Sequence, residues 1–283
     1  MENHLIIAIT SYNPNIIRFK NVLSNAYNVA DEVFLVDNKS TNYADISDLI
    51  KNIDIQKKIK FFPLNQNKGL GNALNQAINH IEPKEDNIFI LTLDQDSIIL
   101  INRKMIDNII SEGYKFIGNT FGAILLASKE DTDKKLIEKI DLALIGGLII
   151  NFSLFKEGLR YREEFFLDQI DFDLSYNIRS RGKNILRYNA KTLDHIVGIR
   201  IKTTRIRLAY EPEYRIYLIT RNSLVLLREK KINIYFFIRQ LLIWYTVSFI
   251  LNHSKNILTL LKIFFVATND GINEDYTNNF KFR

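Results

Sequence analysis

Residues 88–97 read Ile88-Phe89-Ile90-Leu91-Thr92-Leu93-Asp94-Gln95-Asp96-Ser97. The apolar run 88–93 has the length and β-branched content of a buried strand. It stops abruptly on two carboxylates one residue apart. In an open α/β sheet, ligands sit just beyond the carboxyl ends of the strands. Two hard oxygen groups there suit a divalent cation that also holds phosphate oxygens. An Asp-x-Asp can equally be a solvated turn, so its meaning depends on what surrounds it.

Upstream, strand-like runs at 5–9, 32–36 and 60–62 alternate with helical patterns at 15–26, 45–52 and 70–80. Such alternation implies βαβ units and a mainly parallel sheet flanked by helices, an α/β fold. Three strand ends carry polar clusters: Thr10-Ser11-Tyr12-Asn13-Pro14, Asp37-Asn38-Lys39-Ser40 and Asp94-Gln95-Asp96-Ser97. In a parallel sheet those ends face one side. Three polar tips on one crevice are a stronger signal than any one of them. Between them lies Asn65-Gln66-Asn67-Lys68-Gly69-Leu70-Gly71-Asn72-Ala73-Leu74-Asn75. Its glycines allow close backbone approach at a helix start, where free N–H groups favour anionic or polar ligands. The spacing is neither a Walker loop nor the dinucleotide fingerprint.

Composition bounds the answer. The 283 residues are 47% hydrophobic, enough to bury a full core, in one large domain or a domain with an extension. The absence of cysteine excludes disulfides and thiolate metal sites. The N-terminal run lacks a basic segment before its apolar residues and reads as a first strand, not a signal peptide. The net charge of +6 is concentrated: 179–231 holds 14 Lys/Arg against 4 Asp/Glu, leaving the rest of the chain near −4. A block of that sign attracts anions such as a nucleoside diphosphate, a lipid diphosphate or an anionic membrane face, and is otherwise a solvated basic surface.

Thr-Ser-Tyr-Asn-Pro, Val-Asp-Asn-Lys-Ser, Asn-Lys-Gly-Leu-Gly-Asn-Ala-Leu-Asn and Leu-Asp-Gln-Asp-Ser, in this order and spacing, resemble glycosyltransferase family 2. The Asp-Gln-Asp-Ser form is most similar to the bacterial rhamnosyltransferase branch of polysaccharide and O-antigen assembly. The resemblance implies a GT-A fold and inverting transfer from a nucleotide-sugar donor. It places Thr10, Asn13, Asp37 and Asn38 around the base and ribose, with Gly69 and Asn75 supporting the same pocket. It puts Asp94 near the ribose and the metal (Mg or Mn), and makes Asp96 the principal metal ligand.

Residues 143–151, with Ile-Gly-Gly-Leu-Ile-Ile, read as an apolar strand whose glycine pair stands at its mouth. In the family pattern a small-residue turn lies here near the acceptor, so Gly146 and Gly147 are acceptor-side candidates. Next, Asp168, Asp171 and Asp173 follow an apolar Phe165-Phe166-Leu167. Asp168 and Asp171 would share a face if helical. Glycosyl transfer needs a base for the acceptor hydroxyl proton, and direct inversion needs only one such carboxylate. The family pattern assigns the base to Asp171, preceded here by Ile170 in place of the acidic residue of other branches. Asp168 is the runner-up, and an acidic helix N-terminus explains it equally well.

His195, in a His-x-x-Gly that matches the branch, is expected to join Asp94 and Asp96 as a metal ligand. Glu213–Asn222 resembles the Arg-x-Tyr…Arg-Asn element, whose basic groups, Arg221 among them, would meet the donor diphosphate because a planar guanidinium suits phosphate. The tail 232–267 is apolar but interrupted, its longest clean piece, 241–251, too short to span a bilayer. Two amphipathic helices, packed on the domain or lying on a membrane surface, fit it better. Residues 267–272 also resemble the branch.

The expected protein is therefore a GT-A domain at 1–205 with a helical extension at 206–283. It would be an inverting, metal-dependent transferase moving L-rhamnose from dTDP-L-rhamnose to a saccharide or lipid-linked saccharide of a bacterial surface polysaccharide. It would sit in the cytoplasm, peripheral to the inner membrane face, without nucleic acid. Three alternatives stand beside it: another donor such as a UDP-sugar, a sugar nucleotidyltransferase, and a non-catalytic anion- or nucleic-acid-binding module. The nucleotidyltransferases carry a glycine-rich basic loop after the first strand, and Thr10–Pro14 has neither glycine nor base.

Overall fold

The computed structural model describes residues 3–82, 87–129, 134–195, 211–251, 257–277, 279 and 282. The chain forms two compact units: Met1–Glu163 with Leu174–Ile196, and Glu164–Asp173 with Val197–Arg283. The expected boundary near 205 falls among residues 196–210, outside the described residues.

In the first unit β1 (His4–Ser11), α1 (Ile16–Val29), β2 (Glu32–Asp37), α2 (Tyr43–Ile53), β3 (Ile59–Pro63), α3 (Leu70–Asn79) and β4 (Ile88–Asp94) alternate as the apolar periods require. A two-residue strand β5 (Ile98–Ile99), α4 (Arg103–Ile117), β6 (Phe121–Ala127), β7 (Ile137–Ile140), β8 (Leu148–Asn151) and the short α5 (Ser153–Lys156) follow. Helix α6 (Ile170–Ser180) carries the chain from the second unit's segment back into the first, which ends with β9 (Asn184–Lys191) and β10 (Leu193–Asp194).

The main sheet has the order β3-β2-β1-β4-β8-β6-β9-β7. The βαβ half, β3 to β4, is wholly parallel, as is the β6–β9 pair, while β8 and β7 run antiparallel to their neighbours. Residues 5–9 of β1 are at most 1% exposed, as expected of a strand covered on both faces. One face is sealed by Phe19, Val22, Leu23 and Ala26 of α1 with Ile106, Ile109 and Ile110 of α4. Helices α1 and α4 start where Asn15 and Asn102 accept hydrogen bonds from the backbone N–H groups of Arg18 and Met105.

One strand expectation needs correction. Only Leu148–Asn151 of the 143–151 run is strand; Ile145–Gly147 form a turn, with Gly147 at φ +93° and its N–H donated to the Thr92 carbonyl at 2.7 Å. Hydrophobicity alone did not reveal it, because the turn is itself lined by apolar residues, Ala143 and Ile145 both buried.

The second unit is built on α7 (Glu213–Arg228), α8 (Ile234–Leu251) and α9 (Ile257–Asn273). Its core joins Phe166 to Ile216, Tyr217 and Leu218 of α7 and Leu260, Ile263 and Ala267 of α9. Here the Asn-Asp-Gly of 269–271 finds its purpose. Asp270 accepts a 2.7 Å hydrogen bond from the Tyr217 hydroxyl, and a Cβ on Gly271 would stand 3.0 Å from the Arg221 carbonyl oxygen.

Candidate active site

Parallel register aligns the strand tips of the first unit. Thr10 pairs with Val36 on one side and Asp94 on the other. The loops beyond are stitched to one another by side chain–backbone hydrogen bonds. Asp37, 1% exposed, accepts from the Ser11 hydroxyl (2.8 Å) and the Ser40 N–H (2.8 Å). Asn13, at φ +49°, accepts from the Thr41 N–H (2.6 Å) and donates its own N–H to Ser40 Oγ (2.8 Å). Asn38 donates to the Gly69 carbonyl (3.0 Å) and accepts from the Lys68 N–H (3.2 Å). Gly69, at φ +87°, turns the chain into α3. The side chain of Asn75 donates to the Tyr161 carbonyl and to Glu163, each at 2.8 Å. A Cβ on Gly71 would lie 2.6 Å from the Arg162 carbonyl oxygen, so glycine lets α3 approach that segment. These residues, expected at the donor site, therefore brace the strand-tip loops, and the carboxylate of Asp37 and amide of Asn75 are already engaged by protein.

At the end of β4, Asp94, Asp96 and His195 offer ligand atoms all within 4.8 Å of one another. His195 Nδ1 lies 3.4 Å from Asp96 Oδ1 and 2.8 Å from Ser97 Oγ. The short ladder β5–β10, pairing Ile99 with Leu193 and Ile98 with Asp194, brings these segments together. Gly146 sits against the cluster: a Cβ there would be 2.0 Å from Asp94 Oδ2. It thus makes room for a site carboxylate in the first unit. Burial pushes the Asp94 carboxyl above the usual carboxylate range, with His195 opposing and Asp96 adding to the effect. The hydrogen bond to Asp96 raises His195. Two close carboxylates, one desolvated, with an imidazole are a donor set that a divalent cation of the Mg or Mn kind fits: hard oxygens plus one borderline nitrogen. Gly198 of the His-x-x-Gly pattern lies outside the described residues.

Two residues that sequence reasoning passed over organise this site. The Gln95 side chain accepts from the Tyr12 N–H at 2.8 Å, tying the first and fourth strand tips together. Arg18 of α1 binds the backbone carbonyl of Asp96 and both the carboxylate and carbonyl of Asp194.

In the second unit, Asp168 precedes α6 and Asp171 lies in its first turn. Gln169, at φ +72°, provides the sharp entry. Arg215 grips Asp168 with two nitrogens (Nη2 to Oδ1 2.7 Å, Nε to Oδ2 3.3 Å) and also pairs with Glu211. Asn222 donates to the carbonyls of Phe165 (3.0 Å) and Asp168 (2.7 Å). Asp173 pairs with Lys231 at 2.6 Å. Among the described residues no such cation pairs with Asp171, whose Oδ1 accepts from the Phe172 N–H at 3.1 Å. Burial pushes its carboxyl up to about 7, with Asp168 adding to the effect and Arg215 opposing it.

Arg221 departs from its expected surroundings. It is 0% exposed, its guanidinium stacked 5.4 Å from the Tyr217 ring and 5.0 Å from the Tyr276 ring, with Nε donating to Asn222. A cation enclosed by aromatic faces supports the interior of the second unit and presents no surface to a diphosphate. Three further basic groups of the second unit are similarly committed: Arg215 to Asp168, Lys231 to Asp173 and Glu229, and Arg228 to the carbonyls of Gly271 and Ile272.

Comparison with known proteins agrees with this geometry. The model for glycosyl transferase family 2 matches residues 6–179, which include every strand-tip cluster and Asp171. No curated protein matches. Among solved structures, Staphylococcus aureus TarS 1–349 superposes with a TM-score of 0.55 at 14% identity, over 96% of this chain and 82% of that one. The same protein in complex with UDP gives 0.54 at 15% identity, with the same coverage. GalNAc-T7 with UDP, GalNAc and Mn2+ gives 0.57 at 12% identity, over 78% of this chain and 51% of that one. At these identities the likeness is one of fold, the GT-A α/β fold with helices after it. With well over half its length matched by the family model, the chain belongs to glycosyltransferase family 2.

Proposed function

We propose that this chain transfers a sugar with inversion from a nucleoside-diphosphate donor, in a reaction that needs a divalent cation. The observation that carries this reading is the Asp94–Asp96–His195 cluster at the end of β4 on a family 2 framework. When bound, the cation neutralises the diphosphate and stabilises it as a leaving group. Asp96 and His195 would hold it, with Asp94 beside them, and Thr10, Asn13, Asp37, Asn38, Gly69 and Asn75 would shape the nucleoside pocket. Asp171 is the base: it takes the acceptor hydroxyl proton as that oxygen bonds to the anomeric carbon and the bond to the diphosphate breaks. A carboxyl near 7 is well matched to that task at neutral pH. Asp168, already in an ion pair with Arg215, holds the segment before α6. Arg221 leaves the set of donor contacts.

For the donor we favour dTDP-L-rhamnose, on the Asp-Gln-Asp-Ser form of the strand end. UDP bound to proteins of the same fold keeps UDP-sugars as the second reading. Nucleotide release measured across dTDP-, UDP- and GDP-sugars with Mn2+ separates them. Turnover of dTDP-rhamnose above the rest supports the first, and turnover of a UDP-sugar alone supports the second. Release from none of them contradicts the enzyme reading.

The acceptor we infer to be a saccharide on a lipid carrier, met at the cytoplasmic membrane face. Among the described residues no helix is long and apolar enough to cross a membrane. Yet α8 and α9 turn apolar side chains outward, including Leu242 (63% exposed) and Phe265 (66%), beside exposed Arg239 and Lys262. Residues 232–268 contain no Asp or Glu. An apolar face dotted only with cations suits an anionic lipid surface. The chain should co-sediment with phosphatidylglycerol vesicles, and Leu242→Glu with Phe265→Glu should release it. Equal sedimentation of wild type and double variant would rule this out.

A further inference from the structure

Asp96 and His195 come from distant parts of the chain, and among the described residues little backbone joins them. The β5–β10 ladder pairs two residues on each side, with one further bond from the Leu100 N–H to the Thr192 carbonyl at 2.9 Å. Both metal-ligand candidates lie past its end, Asp96 before β5 and His195 after β10. Two strands of two residues are too short to fix their own register.

Arg18 completes the join. Its Nε donates to the Asp96 carbonyl at 3.0 Å, Nη1 to Asp194 Oδ2 at 2.8 Å and Nη2 to the Asp194 carbonyl at 2.8 Å. All three guanidinium nitrogens are used, two on the residue preceding His195 and one on Asp96 itself. The planar fork can span both segments at once, which a lysine ammonium on its single point cannot do. The anchor is firm, because Arg18 lies in the first turn of α1, its N–H capped by Asn15, one residue before the fully buried Phe19. The charge is balanced locally: Asp194 pairs with Arg18, so the cation beside the cluster does not oppose a metal at full strength.

We propose that Arg18 is a positioning residue for the metal site, a clasp that holds Asp96 and His195 at one spacing while touching neither ligand atom. The proposal rests on the metal reading above. Outer contacts of this kind typically change metal affinity by about 10–100-fold when removed.

The test is Mn2+ binding to the full chain without donor, followed by the electron paramagnetic resonance signal of the free aqua ion. Arg18→Ala and Arg18→Lys should each weaken binding by about 10-fold or more, with lysine failing to restore the wild-type value. Asp194→Asn should weaken it too, and the Arg18→Ala/Asp194→Asn pair should lose no more than Arg18→Ala alone. Metal-free melting temperatures, measured alongside, show that the change lies in the site and not in general unfolding. Arg18→Lys keeps charge and helix preference, so it serves if the alanine variant folds poorly. If wild type binds Mn2+, Asp96→Ala does not, and Arg18→Lys binds as wild type, the clasp is wrong and the metal site stands. If folded wild type binds no Mn2+, both are wrong.

Discussion

Asp96→Ala should abolish donor turnover, with a loss of at least about 10³-fold, or roughly 4 kcal/mol of barrier. Asp96 contributes a carboxylate to the cluster with Asp94 and His195 and stays partly exposed, so its loss removes a ligand without opening the core. Without the cation, the diphosphate charge would face Asp94 uncompensated, and both binding and departure of the leaving group would suffer. The check is nucleotide release against Mn2+ concentration, with melting temperature to show that the fold persists. Wild-type turnover in the variant would refute the metal-dependent mechanism.

Asp171→Asn should bind donor almost as wild type does while transfer falls by roughly 10²–10⁴-fold, the scale of general-base catalysis. The amide keeps the size and the hydrogen bond from the Phe172 N–H but cannot accept the acceptor proton. The wild-type rate should be flat above about pH 7 and fall as pH drops below it, because the carboxyl pushed up by burial must be ionised to act. Stability should run the opposite way. Between the ordinary aspartate range and about 7 the folded state holds a proton that the unfolded chain has lost, so stability decreases as pH rises across that window. Asp171→Asn should remove this dependence. Asp168→Asn, by contrast, breaks the two-point grip of Arg215 and should cost stability on the order of 2–3 kcal/mol, since Glu211 still engages the guanidinium. Transfer rate beside donor calorimetry for both variants decides the assignment. A normal donor affinity with lost transfer in Asp168→Asn, and normal transfer in Asp171→Asn, would move the base to Asp168.

The strands and helices of residues 4–94 were readable because their periods are strong and their ends are punctuated by Asn, Asp and Gly. The Asp94–Asp96 pair was readable for the same reason, since a buried strand that ends in charge announces the carboxyl end of the sheet. What could not be read is what depends on distant partners. Arg18 stands on a helix with an ordinary amphipathic pattern, and its partners are 78 and 176 residues away. The exposed-looking Asp37 is consumed by hydroxyls of Ser11 and Ser40, which a linear reading cannot pair. Arg221 follows the family pattern in sequence, yet only the rings of Tyr217 and Tyr276 show that it points inward. The turn at 145–147 hid inside an apolar run because burial and strand share one composition.

The most direct measurement is calorimetric titration of wild-type chain with the nucleoside diphosphates dTDP and UDP, in Mn2+, in excess EDTA, and after metal is restored. Saturable binding of at least one in Mn2+, lost in EDTA and regained on adding metal back, is the result expected if Asp94, Asp96 and His195 hold a cation for the diphosphate. Equal affinity in EDTA, or no binding under any condition, would contradict it.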